Sequence, residues 1–234
     1  TQSERVLTGD EALRLSNLME RRLRGEPVAY IVGQREFFGL PFAVSDAVLI
    51  PRPDTEVLVE LALDRLPPGG RVLDMGTGSG AIAVALAHTR PDAVVTALDV
   101  SSAALDVARR NASANGVNIT FMASDWFSAL GTEKFDLIVS NPPYIASGDR
   151  HLAEGDLRFE PSGALTDHAD GLSALRTIVA GAARHLAPKA WLLMEHGYDQ
   201  AASVRQLLVE AGFNQSQSWR DLADIERVSG ARHG

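Results

Sequence analysis

The chain has 234 residues, a net charge of −8 and a hydrophobic content of 45%, values typical of one globular domain with a small addition. The acidic balance gives no general attraction to phosphate backbones, and no uncharged apolar run is long enough to span a membrane. Without cysteine there are neither disulfides nor thiolate metal sites, and the six histidines lack metal-ligand spacing. We therefore predict a cytoplasmic monomer without a metal ion, a nucleic-acid partner or a membrane partner.

The first predicted elements form a small N-terminal region, residues 1–50. Leucines at helical spacing predict one amphipathic helix over residues 10–24. Residues 30–36 and 40–44 are rich in strand-forming side chains and, together with residues 48–50, predict a short hairpin region.

The segment Pro51-Arg52-Pro53-Asp54-Thr55-Glu56 joins this region to the rest of the chain. Its two prolines hold the backbone extended, and Asp54 or Thr55 is the predicted N-cap of the helix that follows. A stiff linker that starts a helix is one interpretation. A rigid wall that shapes a substrate channel is the other.

A strand, a glycine-rich turn and a helix then follow, the order that begins a doubly wound sheet. The strand ends in Asp74-Met75, and the turn is Gly76-Thr77-Gly78-Ser79-Gly80. Its glycines allow the backbone to pass close under a ligand, but their spacing differs from the dinucleotide pattern, and the lysine of a phosphate loop is missing. An acidic residue at the mouth of the turn suits S-adenosylmethionine, whose ammonium group the Asp74 carboxylate can attract. A purely structural turn is the alternative.

Two further strand ends carry side chains suited to an adenosine. The second strand, residues 94–100, contains Asp99 near its end, where a carboxylate can accept both ribose hydroxyls, cap the next helix, or do both. The third strand, residues 119–123, precedes Asp125 and Trp126. An aspartate can accept from the adenine amino group and an indole can cover the ring.

The fourth strand, residues 135–140, delivers Asn141-Pro142-Pro143-Tyr144. Proline lacks a backbone N–H, so this loop is rich in acceptors, namely the Asn141 side-chain oxygen and the carbonyls of Asn141 and Pro142. Two acceptors can hold the two hydrogens of an NH2 group while Tyr144 offers a flat ring. The alternative is a strand-ending turn with a packed tyrosine. We expect the four strand ends to meet at one cleft.

The remaining predicted elements complete an α/β sheet. The segment at residues 145–158 favours either a lid or an ordinary surface loop. The others are a helix at 172–186, a strand at 190–195, a helix at 200–212 and terminal strands at 213–219 and 227–232.

Together these motifs resemble the HemK/PrmC family, glutamine N5-methyltransferases that act on peptide chain release factors. The resemblance runs from about residue 8 to the C-terminus and implies a class I methyltransferase fold over residues 51–234, Rossmann-like with a seven-stranded, mostly parallel sheet. Besides the motifs above, it includes Gly25-Glu26-Pro27, Arg35-Glu36-Phe37, Arg158-Phe159-Glu160-Pro161, Asp170-Gly171-Leu172 and Met194-Glu195-His196-Gly197.

The resemblance also implies roles for the residues in the cleft. The cofactor would be S-adenosylmethionine, with S-adenosylhomocysteine as product, and the loop from Asn141 to Tyr144 would bind the glutamine of the GGQ motif in a class 1 release factor. Asn141, Pro142 and Tyr144 would act in catalysis. The cofactor would be bound by Asp74, Gly76, Thr77, Gly78, Ser79, Gly80, Asp99, Asp125, Trp126 and Asn141.

The chain departs from the family at its start. Members carry an N-terminal helical bundle, of which only the last helix, residues 10–24, is recognisable. Because the sequence opens on Thr1 rather than methionine, we expect a fragment or a processed form, in which residues 1–50 are what remains of a substrate-docking region.

Three other functions fit part of this pattern. A ribosomal protein could present the same glutamine side chain. An adenine-N6 methyltransferase of DNA or RNA uses a similar loop but needs a flipped base and a basic surface, which the acidic composition disfavours. A non-catalytic S-adenosylmethionine-binding module would keep the glycine turn without needing the acceptor loop, so the intact loop favours an enzyme.

Overall fold

The computed structural model describes residues 6–234 of the chain, so the first five residues of the predicted N-terminal region lie outside it. The strands are β1 (Gln34–Phe37), β2 (Leu40–Ala43), β3 (Arg71–Met75), β4 (Val94–Asp99), β5 (Thr120–Ala123), β6 (Phe135–Ser140), β7 (Leu186–Glu195), β8 (Asn214–Arg220) and β9 (Glu226–Arg232). The helices are α1 (Gly9–Leu23), α2 (Val28–Val32), α3 (Glu56–Arg65), α4 (Ala81–Thr89), α5 (Ser102–Ala114), α6 (Ser162–Leu165), α7 (Ser173–Ala182) and α8 (Ala201–Glu210).

A seven-stranded sheet organises the molecule. Its order is β5-β4-β3-β6-β7-β9-β8, in which the first five strands are parallel and the last two form an antiparallel closing pair. The chain builds outward from β3 to β5 and then returns to the other side of β3 with β6. This reversal opens a crevice at the carboxyl ends of the strands, where open α/β sheets bind ligands. The predicted class I methyltransferase fold is confirmed.

The register places the four predicted motifs at one edge. Met75 of β3 pairs with Leu98 of β4 and with Ser140 of β6, and Ser140 in turn pairs with Met194 of β7. Because parallel strands end at the same edge, the segments that follow them emerge side by side. These strands are apolar almost throughout because helices cover both faces of the sheet.

The N-terminal region agrees with the sequence in its first helix and in its hairpin. The helix predicted over residues 10–24 is α1, and β1 and β2 pair antiparallel around a Phe38-Gly39 turn in which both residues have positive φ. Two details were wrong. The start of the predicted strand at residues 30–36 lies in α2, which Gly33 ends with a left-handed φ of 79°, and residues 48–50 are not part of a strand. Proline at position 27, the N-cap of α2, favours a helical start there.

The hairpin is packed onto the sheet domain, whereas α1 has no buried residue. Phe37 and Phe42 belong to the main hydrophobic core. The Asn111 side chain of α5 accepts from Ala43 N (2.8 Å) and donates to the carbonyls of Ala43 (3.0 Å) and Ser79 (2.8 Å). One buried amide therefore joins the hairpin to the glycine-rich turn. Over residues 6–234, no helix has the length and hydropathy required to cross a bilayer.

Two later boundaries also differ from the prediction. The helix predicted over residues 172–186 ends at Ala182, and the strand predicted to begin at residue 190 begins at Leu186. Leu186 pairs with Phe135, after which the register shifts before Trp191 pairs with Leu137. Proline at position 188 lacks a ladder donor and interrupts the strand signal, which explains why the sequence indicated a later start.

Candidate active site

The crevice holds a cavity of about 260 Å³ at the carboxyl ends of β3, β4, β5 and β6. Residues that follow each of these strands line it, so the predicted convergence of four strand ends is observed. The remaining wall comes from Phe37 of β1, from residues 47–55 between β2 and α3, and from residues 161–164 at α6.

The glycine-rich turn presents bare backbone to this cavity. Gly76 and Gly78 have φ values of 70° and 54°, and a Cβ built on either would have no atom within 4 Å. A side chain would therefore occupy the space where a ligand can lie. Gly80 is different, because it is not among the lining residues and its Cβ would come within 3.1 Å of the Ala108 Cβ. Its lack of a side chain allows α4 and α5 to pack closely.

The Asp74 carboxylate is fully buried and is not among the residues that line the cavity. It accepts from Thr77 Oγ1 at 2.6 Å, while Asp74 Oδ1 has no hydrogen-bond partner in the described part of the chain. Burial raises the pKa of Asp74 to about 7, although the hydrogen bond from Thr77 and the nearby Ala83 N–H oppose this shift. In this structure Asp74 supports the turn from beneath.

Asp99 lines the cavity and also braces the turn. Its Oδ2 accepts from Gly78 N at 2.8 Å and its Oδ1 from Ser101 N at 2.9 Å. Each carboxylate oxygen retains a further acceptor position for a ligand hydroxyl. Burial raises the pKa of Asp99. The N-cap of α5 is Ser101, which accepts from Ala104 N, so the alternative capping role of Asp99 is wrong.

Asp125 and Trp126 lie on the same cavity, together with the apolar side chains of Leu98 and Val100. Trp126 has a φ of 49°, an uncommon conformation for a non-glycine residue. The Ser124 hydroxyl holds it by donating to the Trp126 carbonyl at 2.7 Å. Bare glycine backbone, a carboxylate at the end of β4 and apolar walls with an indole match the parts of an adenosine bearing an amino acid tail. The residues present therefore fit S-adenosylmethionine.

Asn141 and Pro143 line the cavity, whereas Pro142 and Tyr144 do not. The Asn141 amide donates from Nδ2 to the Thr55 hydroxyl oxygen at 3.1 Å. Within residues 6–234, no donor is hydrogen-bonded to Asn141 Oδ1 or to the carbonyls of Asn141 and Pro142. The loop therefore keeps three unpaired acceptors, two of them on Asn141 at the cavity and one on the adjoining Pro142, as the two prolines indicated.

Tyr144 anchors this loop through its hydroxyl. The Tyr144 hydroxyl donates to Glu195 Oε1 at 3.1 Å, and burial raises the pKa of the phenol. Its backbone carbonyl accepts from Gln200 Nε2 at 2.9 Å. The ring packs against a hydrophobic core rather than lining the cavity, so the structure does not place it as the predicted flat surface.

Four polar residues here were not among the predicted site residues, although Arg52 and Thr55 belong to the segment predicted as a possible channel wall, and both line the cavity. Arg52 lines the cavity and forms an ion pair with buried Glu160, which also accepts from Ile50 N at 3.2 Å. Thr55 occupies the predicted N-cap position of α3 but makes no capping hydrogen bond. Glu195 ends an apolar strand, as Asp99 does, and that shared pattern was the one available signal.

Comparison with known proteins places these features in context. A family model described as the methyltransferase small domain matches residues 53–157, and one described as the PrmC N-terminal domain matches residues 1–33. The release factor glutamine methyltransferase of Burkholderia pseudomallei is 56% identical over 99% of this chain and 85% of its own length.

Solved structures agree with the sequence comparison. The release factor-specific protein-(glutamine-N5) methyltransferase of Alicyclobacillus acidocaldarius is 35% identical, with a TM-score of 0.50 over 82% of this chain and 99% of that one. A methyltransferase of Pyrococcus furiosus shares only the fold, at 19% identity and a TM-score of 0.64, over 94% of this chain and 99% of its own.

Proposed function

The chain belongs to the release factor glutamine methyltransferase family, and on that premise we propose that its cleft methylates the GGQ-motif glutamine of a class 1 peptide chain release factor. The reaction moves a methyl group from S-adenosylmethionine to the N5 amide nitrogen of that side chain. The observation that carries this proposal is the set of unpaired acceptors on Asn141 and Pro142 beside a glycine-lined cavity. Modification of this glutamine would modulate translation termination.

We assign cofactor binding to the residues that face the cavity. Asp99 would accept from the ribose hydroxyls, and Asp125 and Trp126 would hold the adenine. The backbone from Gly76 to Ser79 would lie against the amino acid part. When bound, S-adenosylmethionine supplies an electrophilic methyl group carried on a sulfonium. Asp74 and Gly80 would contribute indirectly, through the shape of the turn and the packing of α4.

The residues of the loop orient the substrate. A glutamine amide is a poor nucleophile because its nitrogen lone pair is delocalised into the carbonyl. Asn141 Oδ1 and the Pro142 carbonyl would each accept one N–H of the amide, which stabilises positive charge on nitrogen and fixes the direction it faces. Once methylated, the nitrogen is strongly acidic and loses its proton to water. No general base is required.

The remaining parts of the chain suit a protein substrate. We assign residues 1–50 to substrate docking, since this region precedes the methyltransferase domain and α1 presents apolar side chains to solvent, including Leu13 and Leu23. We further propose that the enzyme acts as a monomer in the cytoplasm, without direct contact to nucleic acid.

A competition among acceptors tests this function. Tritiated S-adenosylmethionine is offered with the enzyme to a class 1 release factor, to ribosomal proteins and to duplex DNA, and the labelled residue is identified by mass spectrometry. A release factor whose GGQ glutamine is replaced by asparagine is the matched control. We expect label on the release factor and none on the control. Label on ribosomal protein or DNA, with none on the release factor, would contradict the proposal.

A further inference from the structure

The segment that joins the hairpin to α3 contains a buried hydroxyl that the helix does not use. Thr55 is 4% exposed and stands at the N-cap of α3 without accepting a capping hydrogen bond. Its oxygen instead accepts from Asn141 Nδ2, a residue 86 positions away in the sequence. The rigid segment from Pro51 to Glu56 thus carries a side chain to the reaction loop.

The hydrogen-bonding capacity of Thr55 decides which end of the Asn141 amide faces the cavity. A hydroxyl has one donor and two acceptor positions, and one acceptor position is filled by Asn141 Nδ2. The amide nitrogen and oxygen point in different directions, so this bond leaves Asn141 Oδ1 for the substrate. If the Thr55 proton instead pointed at Asn141, the amide would turn over and present a donor. A donor cannot hold the N–H of a glutamine.

Glu195 holds the other end of the acceptor loop. Its side chain is 2% exposed at the end of β7, and its Oε1 accepts from the Tyr144 hydroxyl at 3.1 Å. Tyr144 and Asn141 are the two ends of the loop, so a buried side chain holds each of them, Glu195 at Tyr144 and Thr55 at Asn141.

We propose that Thr55 is a positioning residue for methyl transfer: its hydroxyl oxygen accepts from Asn141 Nδ2 and so fixes Asn141 with its oxygen toward the substrate nitrogen. This inference rests on the proposed function, because it assigns Asn141 as the acceptor for the substrate N–H. Thr55 does not touch the reacting atoms. Its effect is on the fraction of molecules in which the amide is correctly turned.

Two substitutions at position 55 separate positioning from packing. Thr55→Val keeps the shape and removes the hydroxyl, whereas Thr55→Ser keeps the hydroxyl and removes a methyl group. With a release factor as substrate, we expect kcat to fall about 10-fold in Thr55→Val and to stay within about threefold of the parent in Thr55→Ser. Calorimetric affinity for S-adenosylmethionine should be unchanged in both. A packing role predicts the opposite order, and that result, or a parental kcat in Thr55→Val, overturns the assignment of Thr55.

A second variant does not depend on the folding of Thr55→Val. Thr55→Ala also removes the hydroxyl that accepts from Asn141 Nδ2, so its kcat should fall about 10-fold as well. A parental kcat in folded Thr55→Ala removes Thr55 from the positioning of Asn141, and should Thr55→Val fail to fold, this variant decides alone. If the parent labels no glutamine, the proposed function fails. If it does and the variants behave like the parent, only the positioning inference fails.

Discussion

The cofactor side and the substrate side of the cleft are each stabilised by hydrogen bonds, but these bonds span different distances along the sequence. On the cofactor side, the hydrogen bonds join residues close in the chain. Asp74 accepts from Thr77 three positions away, and Asp99 accepts from Ser101 two positions away and from Gly78, 21 positions away. This half is built mostly from one strand–turn–helix unit and the start of the next.

On the substrate side, the hydrogen bonds join distant segments. Asn141 is held by Thr55 from 86 positions away, and Tyr144 donates to Glu195 across 51 positions. Arg52, on the wall of the cavity, likewise pairs with Glu160 from 108 positions away. A cofactor site of this kind can form from a local motif, whereas the reaction loop is oriented only when the whole domain is folded. We therefore expect substitutions to affect binding and turnover separately.

Removal of the Asn141 side chain should give the largest effect. Asn141→Ala deletes one preorganised acceptor for the substrate, so we expect kcat to fall by about 10² to 10³ while S-adenosylmethionine affinity stays near normal. Single-turnover kinetics and calorimetry measure the two quantities. Asn214→Ala, at an exposed position of β8, is the control and should behave like the parent. If Asn141→Ala lost cofactor affinity in proportion to its loss of kcat, that result would contradict the separation of a cofactor side from a substrate side.

Asp99 offers the reciprocal test on the cofactor side. Asp99→Ala removes the proposed acceptor for the ribose hydroxyls, and we expect S-adenosylmethionine binding to weaken by about 1.5 to 3 kcal/mol, the scale of hydrogen bonds to a charged group. Isothermal calorimetry gives the value. At saturating cofactor, turnover should recover much more fully than in Asn141→Ala. Unchanged affinity in a folded Asp99→Ala protein would remove this residue from the cofactor site.

Gly78 and Gly80 of the turn should separate ligand binding from packing. Both have positive φ, so alanine at either position costs about 1 to 2 kcal/mol of backbone strain. Gly78→Ala also places a methyl group in the cavity, and we expect weaker cofactor binding. Gly80→Ala pushes against Ala108, and we expect a greater loss of unfolding free energy with less effect on affinity. Urea unfolding and calorimetry on both variants check this. The reverse ranking would contradict our placement of Gly80.

A smaller effect is expected in the pH dependence of stability. Burial raises the pKa of Asp74 from 3.8 to about 7 in the folded chain. The folded state then binds the proton more tightly than the unfolded state. The stability that Asp74 contributes is therefore fully present below pH 4 and is lost as pH rises through 7. Asp74→Asn keeps an acceptor for Thr77 and should flatten this part of the curve in urea unfolding. Parallel curves for parent and variant would show that Asp74 does not titrate in this range.

The features that the sequence predicted correctly are those that depend on residues adjacent in the chain. Strand ends are marked by apolar runs that stop at a polar residue. The two prolines after Asn141 indicate an acceptor-rich loop independently of the tertiary structure around it. The register of parallel strands then brings the marked ends together, which is why Asp99, Trp126 and Asn141 were all placed correctly on one cavity.

What the sequence did not predict depends on contacts between distant segments. Thr55 has the local pattern of an N-cap, and only the folded chain turns its hydroxyl to Asn141. Asp74 precedes a glycine-rich turn, but whether its carboxylate lies on the cavity or beneath the turn depends on how α4 packs. The helical conformation of residues 30–32, which the sequence indicated as a strand, likewise reflects a contact with another segment. The Tyr30 hydroxyl donates to the carbonyl of buried Val48 at 2.7 Å.

The most direct test of the orienting role of the acceptor loop is the single-turnover rate of Asn141→Asp. This variant keeps the shape and an acceptor but places a negative charge near the sulfonium. That charge would stabilise the bound cation more than the transition state, in which the positive charge is dispersed. The orientation account predicts tighter cofactor binding and slower methyl transfer than in the parent. A carboxylate at this position would be a better general base than an amide. An aspartate variant that transfers the methyl group faster than the parent would therefore contradict the orientation account.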